Sequence, residues 1–241
     1  MTKVLFSRAD FEDATKSSGL MLAPAINYFT SKGLRVDDLD GSRATKANVD
    51  ASISSEKPAA IISNGHGDDT RHTLFNYEVV YETCSCDELN GVEIVYLFSC
   101  LNGRSLVPDA VEKGARAVIG YNQTFGWVQT GTNPLTDTHA SGTAEAVQAL
   151  AKAIADGKTA QECVQASTTV WDQQIAKWQM SSDSYAAEVL KWMLSNRNAQ
   201  VLAGDPNARL SVQGPAIPAI PIPKGAAISV VAGLLLLLLA A

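Results

Sequence analysis

Along the first half of the chain, short apolar runs with no polar alternation are separated by stretches whose apolar residues recur at helical spacing. Lys-Val-Leu-Phe at 3–6 predicts a strand, positions 14–32 a helix, and Leu-Arg-Val at 34–36 a second strand. A short helix over 44–54 precedes Pro58, which breaks the chain before Ala-Ala-Ile-Ile-Ser at 59–63, a run that reads as a buried parallel strand. The same pattern predicts strands at 92–99 and 117–121. Between them lies a helix over 106–113, with Gly114 as its stop. Residues 73–82 suit an inserted β-hairpin. From 136 to 198 the chain reads as helical, in three segments broken near Asp156-Gly157 and Ser181-Ser182, with Trp171, Trp178 and Trp192 on the apolar faces as core residues. Strands alternating with helices predict an α/β fold, with a mainly parallel sheet between two helical layers.

Composition narrows the partners. The 241 residues are 46% hydrophobic and 18% charged, enough for one domain of roughly 200 residues with its own core. The net charge of -6 comes with Lys and Arg scattered along the chain, so no basic footprint for nucleic acid is present. Cys84, Cys86, Cys100 and Cys163 are too few for a disulfide scaffold and read as reduced thiols. Cys84 and Cys86 have no second ligand pair at zinc spacing, so neither a metal nor another cofactor is expected.

The organisation read from the chain is a domain over 1–213, a Pro-rich linker over 214–224 and an uncharged hydrophobic tail over 225–241. A helix through the 17 tail residues would reach about 26 Å, just short of a hydrocarbon core of roughly 30 Å. The first reading is a membrane anchor with Lys224 at the headgroups and the domain in the cytoplasm. The alternative is an extension that docks on a partner or is removed. Arg8, Asp10 and Glu12 interrupt any secretory signal at the start.

Two of the apolar runs end in residues able to do chemistry: Ile61-Ile62-Ser63-Asn64-Gly65-His66-Gly67 and Val95-Tyr96-Leu97-Phe98-Ser99-Cys100. In an open parallel sheet functional groups gather past the carboxyl ends of neighbouring strands, which can unite two residues 34 positions apart. Gly65 and Gly67 leave room for a substrate backbone, and a glycine N–H after the histidine suits a developing oxyanion. Either residue alone reads as structural; together, with their glycines, they read as a nucleophile and its acid–base partner. A cationic imidazole nearby, or the N-terminus of a helix starting soon after Cys100, is expected to lower its pKa. Asp68 and Asp69 follow the histidine and suit orientation of its ring or substrate binding. His72 and His139 lack such context and read as surface or loop residues.

A hydrophobic block ending in His-Gly, then a second ending in Cys, resembles the clan CD cysteine peptidases, the clan of caspases, legumain, separase, clostripain and gingipains. The likeness is to the gingipain type and its CHAT-domain relatives. Ser-Cys-Leu-Asn-Gly at 99–103 is followed by Val-Glu-Lys-Gly-Ala-Arg-Ala-Val-Ile-Gly-Tyr at 111–121, and Leu-Ala-Gly-Asp-Pro-Asn-Ala-Arg-Leu at 202–210 is similar to the closing Gly-Asp-Pro segment of such domains. The Gln-Ala-Cys-x-Gly signature of true caspases is absent. The resemblance implies a caspase-like three-layer α/β/α sandwich and a cysteine endopeptidase acting on protein or peptide substrates. It implies Cys100 as nucleophile, His66 as the proton donor to the leaving amine, and the N–H groups of Gly67 and Cys100 as an oxyanion hole. For the substrate pocket, position along the chain offers the 124–130 segment with Phe125 and Trp127, or the 68–77 loop. Arg71 would there favour acidic substrates, and Asp68 or Asp69 basic ones. The competing reading is a catalytically silent caspase-like signalling or peptide-binding module, which binds a partner peptide by strand addition and is tethered to a membrane by the tail.

Overall fold

The structure, a computed structural model, describes residues 1–211; the linker and tail read from the sequence lie outside the described residues. Among the described residues no helix is long and apolar enough to cross a membrane.

Strands β1 (Lys3–Arg8), β2 (Arg35–Asp40) and β3 (Ala60–Asn64) alternate with helices α1 (Asp13–Ser31) and α2 (Lys46–Glu56). Three short strands follow, β4 (His66–Gly67), β5 (Arg71–Thr73) and β6 (Val79–Glu82), then β7 (Ile94–Phe98), α3 (Leu106–Glu112) and β8 (Ala117–Tyr121). Helices α4 (Ser141–Ala155), α5 (Ala160–Gln179) and α6 (Ala186–Ala199) precede the last strand, β9 (Gln200–Gly204). The central sheet has the order β2-β1-β3-β7-β8-β9 and is parallel except for β9, which runs antiparallel to β8 at one edge. β4, β5 and β6 form a separate antiparallel sheet.

Every residue of β3, β7 and β8 is buried, which explains why these strands appear in the sequence as unbroken apolar runs. Alternate side chains feed two cores. Phe6, Ile62, Tyr96, Phe98 and Ile119 pack beneath α1, α4 and α5 with the fully buried Trp171. Leu5, Ile61, Val95, Leu97 and Val118 pack on the other face, against α2, α3 and the small sheet. The sheet therefore has helices on both faces, as the alternation predicted.

α1 begins with a capping box, in which the Glu12 carboxylate accepts from the Thr15 N–H and the Thr15 hydroxyl accepts from the Glu12 N–H. α5 begins in the same way with Thr159 and Glu162. α3 stops where Gly114 takes φ +106, a conformation that costs glycine little. Trp178 is buried with Trp171, but Trp192 is only half-buried. It lies across Gly126, whose added Cβ would fall 2.5 Å from its ring. Its expected place in the core is corrected accordingly: α6 packs on α5 and turns that ring toward a surface depression shared with Leu101 and Thr124.

Candidate active site

Strands β3 and β7 are hydrogen-bonded neighbours, and their register pairs Asn64 with Phe98. His66 and Cys100 therefore each lie two residues past matched ends of adjacent strands, which run about 4.8 Å apart. The Gly65 N–H donates to the Phe98 carbonyl at 3.4 Å and holds the two chain exits together. Gly67 lies directly over the other exit: a Cβ there would fall 2.5 Å from the Cys100 carbonyl oxygen and 2.6 Å from Ser99 Oγ. Glycine is thus required at 67 by close approach, and any side chain would push the two segments apart.

His66 and Cys100 line one cavity of about 230 Å³, together with Ala14 and Thr15 from the start of α1, Phe98 at the end of β7, and Phe125 and Trp127 from the segment after β8. The imidazole is held from two sides. Its Nε2 lies 2.9 Å from Glu12 Oε1, and its ring stacks on Tyr77 with centroids 5.1 Å apart. A carboxylate only accepts, so Nε2 carries the proton in the neutral ring and Nδ1 is left as the basic nitrogen. Glu12 and Tyr77 were not singled out in the sequence. Glu12 resembles an ordinary helix cap, and the loop that places Tyr77, with Asn76 and Tyr77 at φ +55 and +60, has no sequence signature.

Cys100 sits at an abrupt turn. The Asn102 N–H donates to the Cys100 carbonyl at 2.7 Å, and Leu101 between them adopts φ +62. This left-handed backbone costs a branched residue roughly 1–2 kcal/mol. It is held by the Leu101 N–H bonded to the Gln123 carbonyl and by the buried Asn102 amide, which donates to Ser99 Oγ at 2.6 Å and to the Leu97 carbonyl. The Phe125 N–H donates to Cys100 Sγ at 3.3 Å. Burial nevertheless pushes the thiol pKa up, against the smaller opposing effect of that hydrogen bond. The expected helix-driven lowering does not occur, because α3 starts only at Leu106 and is a single short helix.

The segment carrying Phe125 and Trp127 is anchored below the cavity. Buried Asn196 of α6 bonds both backbone groups of Gly126, accepting from its N–H at 3.2 Å and donating to its carbonyl at 2.7 Å. Phe125 packs edge-on against Phe98 and Tyr121. Farther along, Asp137 accepts from the N–H groups of Thr130, Gly131, His139 and Ala140. Burial alone would raise this carboxyl, but the surrounding donors outweigh it and hold the pKa at about 2.

Several sequence-based assignments change. His72 is fully buried, with Nε2 2.7 Å from Ser63 Oγ and Nδ1 2.8 Å from Ser99 Oγ, so it is an interior residue of the small sheet. Burial, with a smaller contribution from His66, lowers its pKa to about 3 and keeps it neutral. His139 is also buried, between Thr130, Asp183 and the rings of Trp178 and Tyr185. Asp68 caps the β4–β5 turn through the Thr70 N–H, Arg71 pairs with Glu82 at 2.8 Å, and Asp69 pairs with Arg104. None of these three lines the cavity; their side chains are engaged with Thr70, Arg104 and Glu82 instead. Glu12, rather than Asp68 or Asp69, contacts the His66 ring. Among the described residues no group of three or more His, Cys, Asp or Glu side chains is placed to hold a metal.

No family model matches the chain, and no curated protein matches it. Among solved structures it is similar to a complex of the RgpB pro- and mature domains from Porphyromonas gingivalis, with a TM-score of 0.55 and 12% identity over 88% of this chain. The fold is caspase-like. At that identity the likeness is one of fold, and the chain spans about half the length of the protein it matches, 48%. Within this caspase-like sheet, His66 and Cys100 occupy the carboxyl ends of the two middle strands, and Phe125 and Trp127 follow the next strand toward the antiparallel edge.

Proposed function

We propose that the protein is a cysteine endopeptidase that cleaves peptide bonds through Cys100 and His66. The observation that carries this reading is the shared cavity: a thiol and an imidazole, each two residues past register-matched strand ends, face the same space. The fold likeness to RgpB, of the gingipain type that the motifs resemble, supports the same class of chemistry.

In the first half-reaction Cys100 Sγ attacks the scissile carbonyl carbon while its proton passes to His66 Nδ1, forming the S–C bond and an oxyanion. The N–H groups of Gly67 and Cys100 are the proposed donors to that oxyanion. Collapse breaks the C–N bond, and His66 returns the proton to the leaving amine. Water, deprotonated by His66, then attacks the thioester, and the C–S bond breaks to give the acid and the free thiol. Glu12 and Tyr77 keep the ring oriented throughout. Phe125 and Trp127 form the substrate wall, and Asp68 and Arg71 have no part in it. Membrane attachment through 225–241 belongs to the proposal on composition alone.

One observation favours the alternative of a silent peptide-binding module: the resting thiol is pushed toward its protonated form, and the His66 proton faces Glu12. Hydrolysis of a mixed fluorogenic peptide library separates the two. Turnover by the full chain, lost in Cys100→Ala and in His66→Ala, is the expected result. Binding without turnover in folded protein would select the silent module.

A further inference from the structure

The chemistry of the cavity walls names the substrate class. Of the residues that line it among those described, only His66 and Cys100 can ionise; the remainder are aromatic, small or hydroxyl-bearing. The hydroxyls are already engaged. Thr15 Oγ1 donates to the Glu12 carbonyl and accepts from the Glu12 N–H, while Ser18 Oγ donates to the Thr15 carbonyl and accepts from Asn64. The Glu12 carboxylate is bonded to His66 Nε2 and the Thr15 N–H and is not part of the lining. Asp68, Asp69 and Arg71 are paired elsewhere. At about 230 Å³ the cavity is smaller than the roughly 300–1,000 Å³ that drug-sized ligands occupy, so it holds one side chain.

We infer that this cavity receives the side chain on the amino side of the cleaved bond and selects an uncharged apolar residue of the Leu, Met or Phe class. The inference deepens the peptidase reading and rests on it for which bond is cut. A charged side chain entering here would lose its hydration with no partner of opposite sign beyond His66 and Cys100 themselves, whereas an apolar one would be covered by Phe98, Phe125 and Trp127. Discrimination of at least about 30-fold against Arg, Lys and Asp is expected, within the range a desolvated pocket provides. Further charge lies next door, in a depression of about 450 Å³ that shares Ala14 and Trp127 and adds Asp13 and Lys16. Ala14 is exposed and lies in the first turn of α1, where a carboxylate is favoured by the helix dipole. Ala14→Asp therefore places a negative charge on the cavity wall at little cost to folding.

The test reads occupancy apart from catalysis. The full chain is alkylated with iodoacetamide in the presence of acetylated peptide amides ending in Leu, Phe, Arg, Lys or Asp, and Cys100 modification is followed by mass spectrometry. Turnover of the matching fluorogenic peptides is measured in parallel. The expected result is that Leu and Phe peptides protect Cys100 at least about 30-fold better than charged ones, and that Ala14→Asp gains protection by Arg and Lys peptides by about tenfold. Protection without turnover would retain the pocket and end the peptidase reading. Better protection by Arg, Lys or Asp peptides in the unaltered protein, no protection by any peptide, or an Ala14→Asp variant with unchanged selectivity would overturn the inference.

Discussion

The small antiparallel sheet pairs His66 with Thr73 and Gly67 with His72, and the two histidines it brings together have opposite surroundings. His66 keeps about a third of its side chain exposed, opens onto the cavity and is held by a carboxylate and a tyrosine ring. His72 is fully enclosed, spans two serine hydroxyls and is kept neutral by burial. A buried chain of hydrogen bonds runs from Ser7 through Ser63, His72 and Ser99 to Asn102. It fixes the turn that presents Cys100, so one histidine opens onto the cavity while the other builds the platform. Residue type does not separate these roles; the number of open faces on the ring does.

That contrast breaks if exchanging the two positions gives similar phenotypes. His66→Ala should lower turnover roughly 10³-fold, the scale of a lost acid–base group, with a melting temperature within about 2 °C of the parent. His72→Ala should act first on stability. It leaves hydroxyls of Ser63 and Ser99 short of a partner in the interior, at a cost of about 3 kcal/mol, or a melting temperature lower by about 10 °C. Calorimetry beside steady-state kinetics on both variants checks the pair.

Acid sharpens it further. Because His72 has a folded-state pKa of about 3 against 6.5 unfolded, the unfolded chain binds one more proton between those values. Its contribution is therefore full above pH 6.5 and is lost as pH falls, by about 1.4 kcal/mol per pH unit. Asp137 and the other lowered carboxyls destabilise in the same direction, but below their ordinary values of 3.8 and 4.5, so the share of the slope between pH 4.5 and 6.5 that a His72 substitution removes reports on the histidine. In His72→Asn that share of the slope should vanish; an unchanged slope would place the proton elsewhere.

Smaller effects follow around the ring. Glu12→Gln keeps a helix cap but removes the charge facing His66, and kcat should fall about tenfold with KM nearly unchanged. At the outer turn, Arg71→Ala breaks a largely exposed pair with Glu82 and should alter kcat/KM by less than about twofold, as such pairs contribute little. A large loss there would return the 68–77 loop to the substrate site.

Much of this architecture could be read from the chain, for a physical reason. β3, β7 and β8 are buried on both faces, so their identity is written as uninterrupted apolar runs, and the glycines beside His66 mark where two backbones nearly touch. β9 was hidden because its residues are mostly half-buried at a sheet edge, where polar side chains are tolerated. Glu12 and His72 were hidden because their contacts, Glu12 with His66 54 positions away and His72 with Ser63 and Ser99 at once, depend on how α1 and the small sheet dock. The same limit led position alone to suggest Asp68 and Arg71 for the pocket, where packing provides Phe98 and Ala14 instead.

The central claim is that Cys100 is a nucleophile poised by its site rather than an ordinary thiol, and exposed Cys84 supplies an internal control. The direct measurement is intact-mass and peptide-level analysis of the full chain after treatment with a peptidyl acyloxymethyl ketone bearing an apolar residue next to the reactive group. The account predicts one adduct, on Cys100, formed much faster than any on Cys84, absent in Cys100→Ala and strongly slowed in His66→Ala. An adduct on Cys84 at a comparable rate, or none on Cys100 in folded protein, would contradict it.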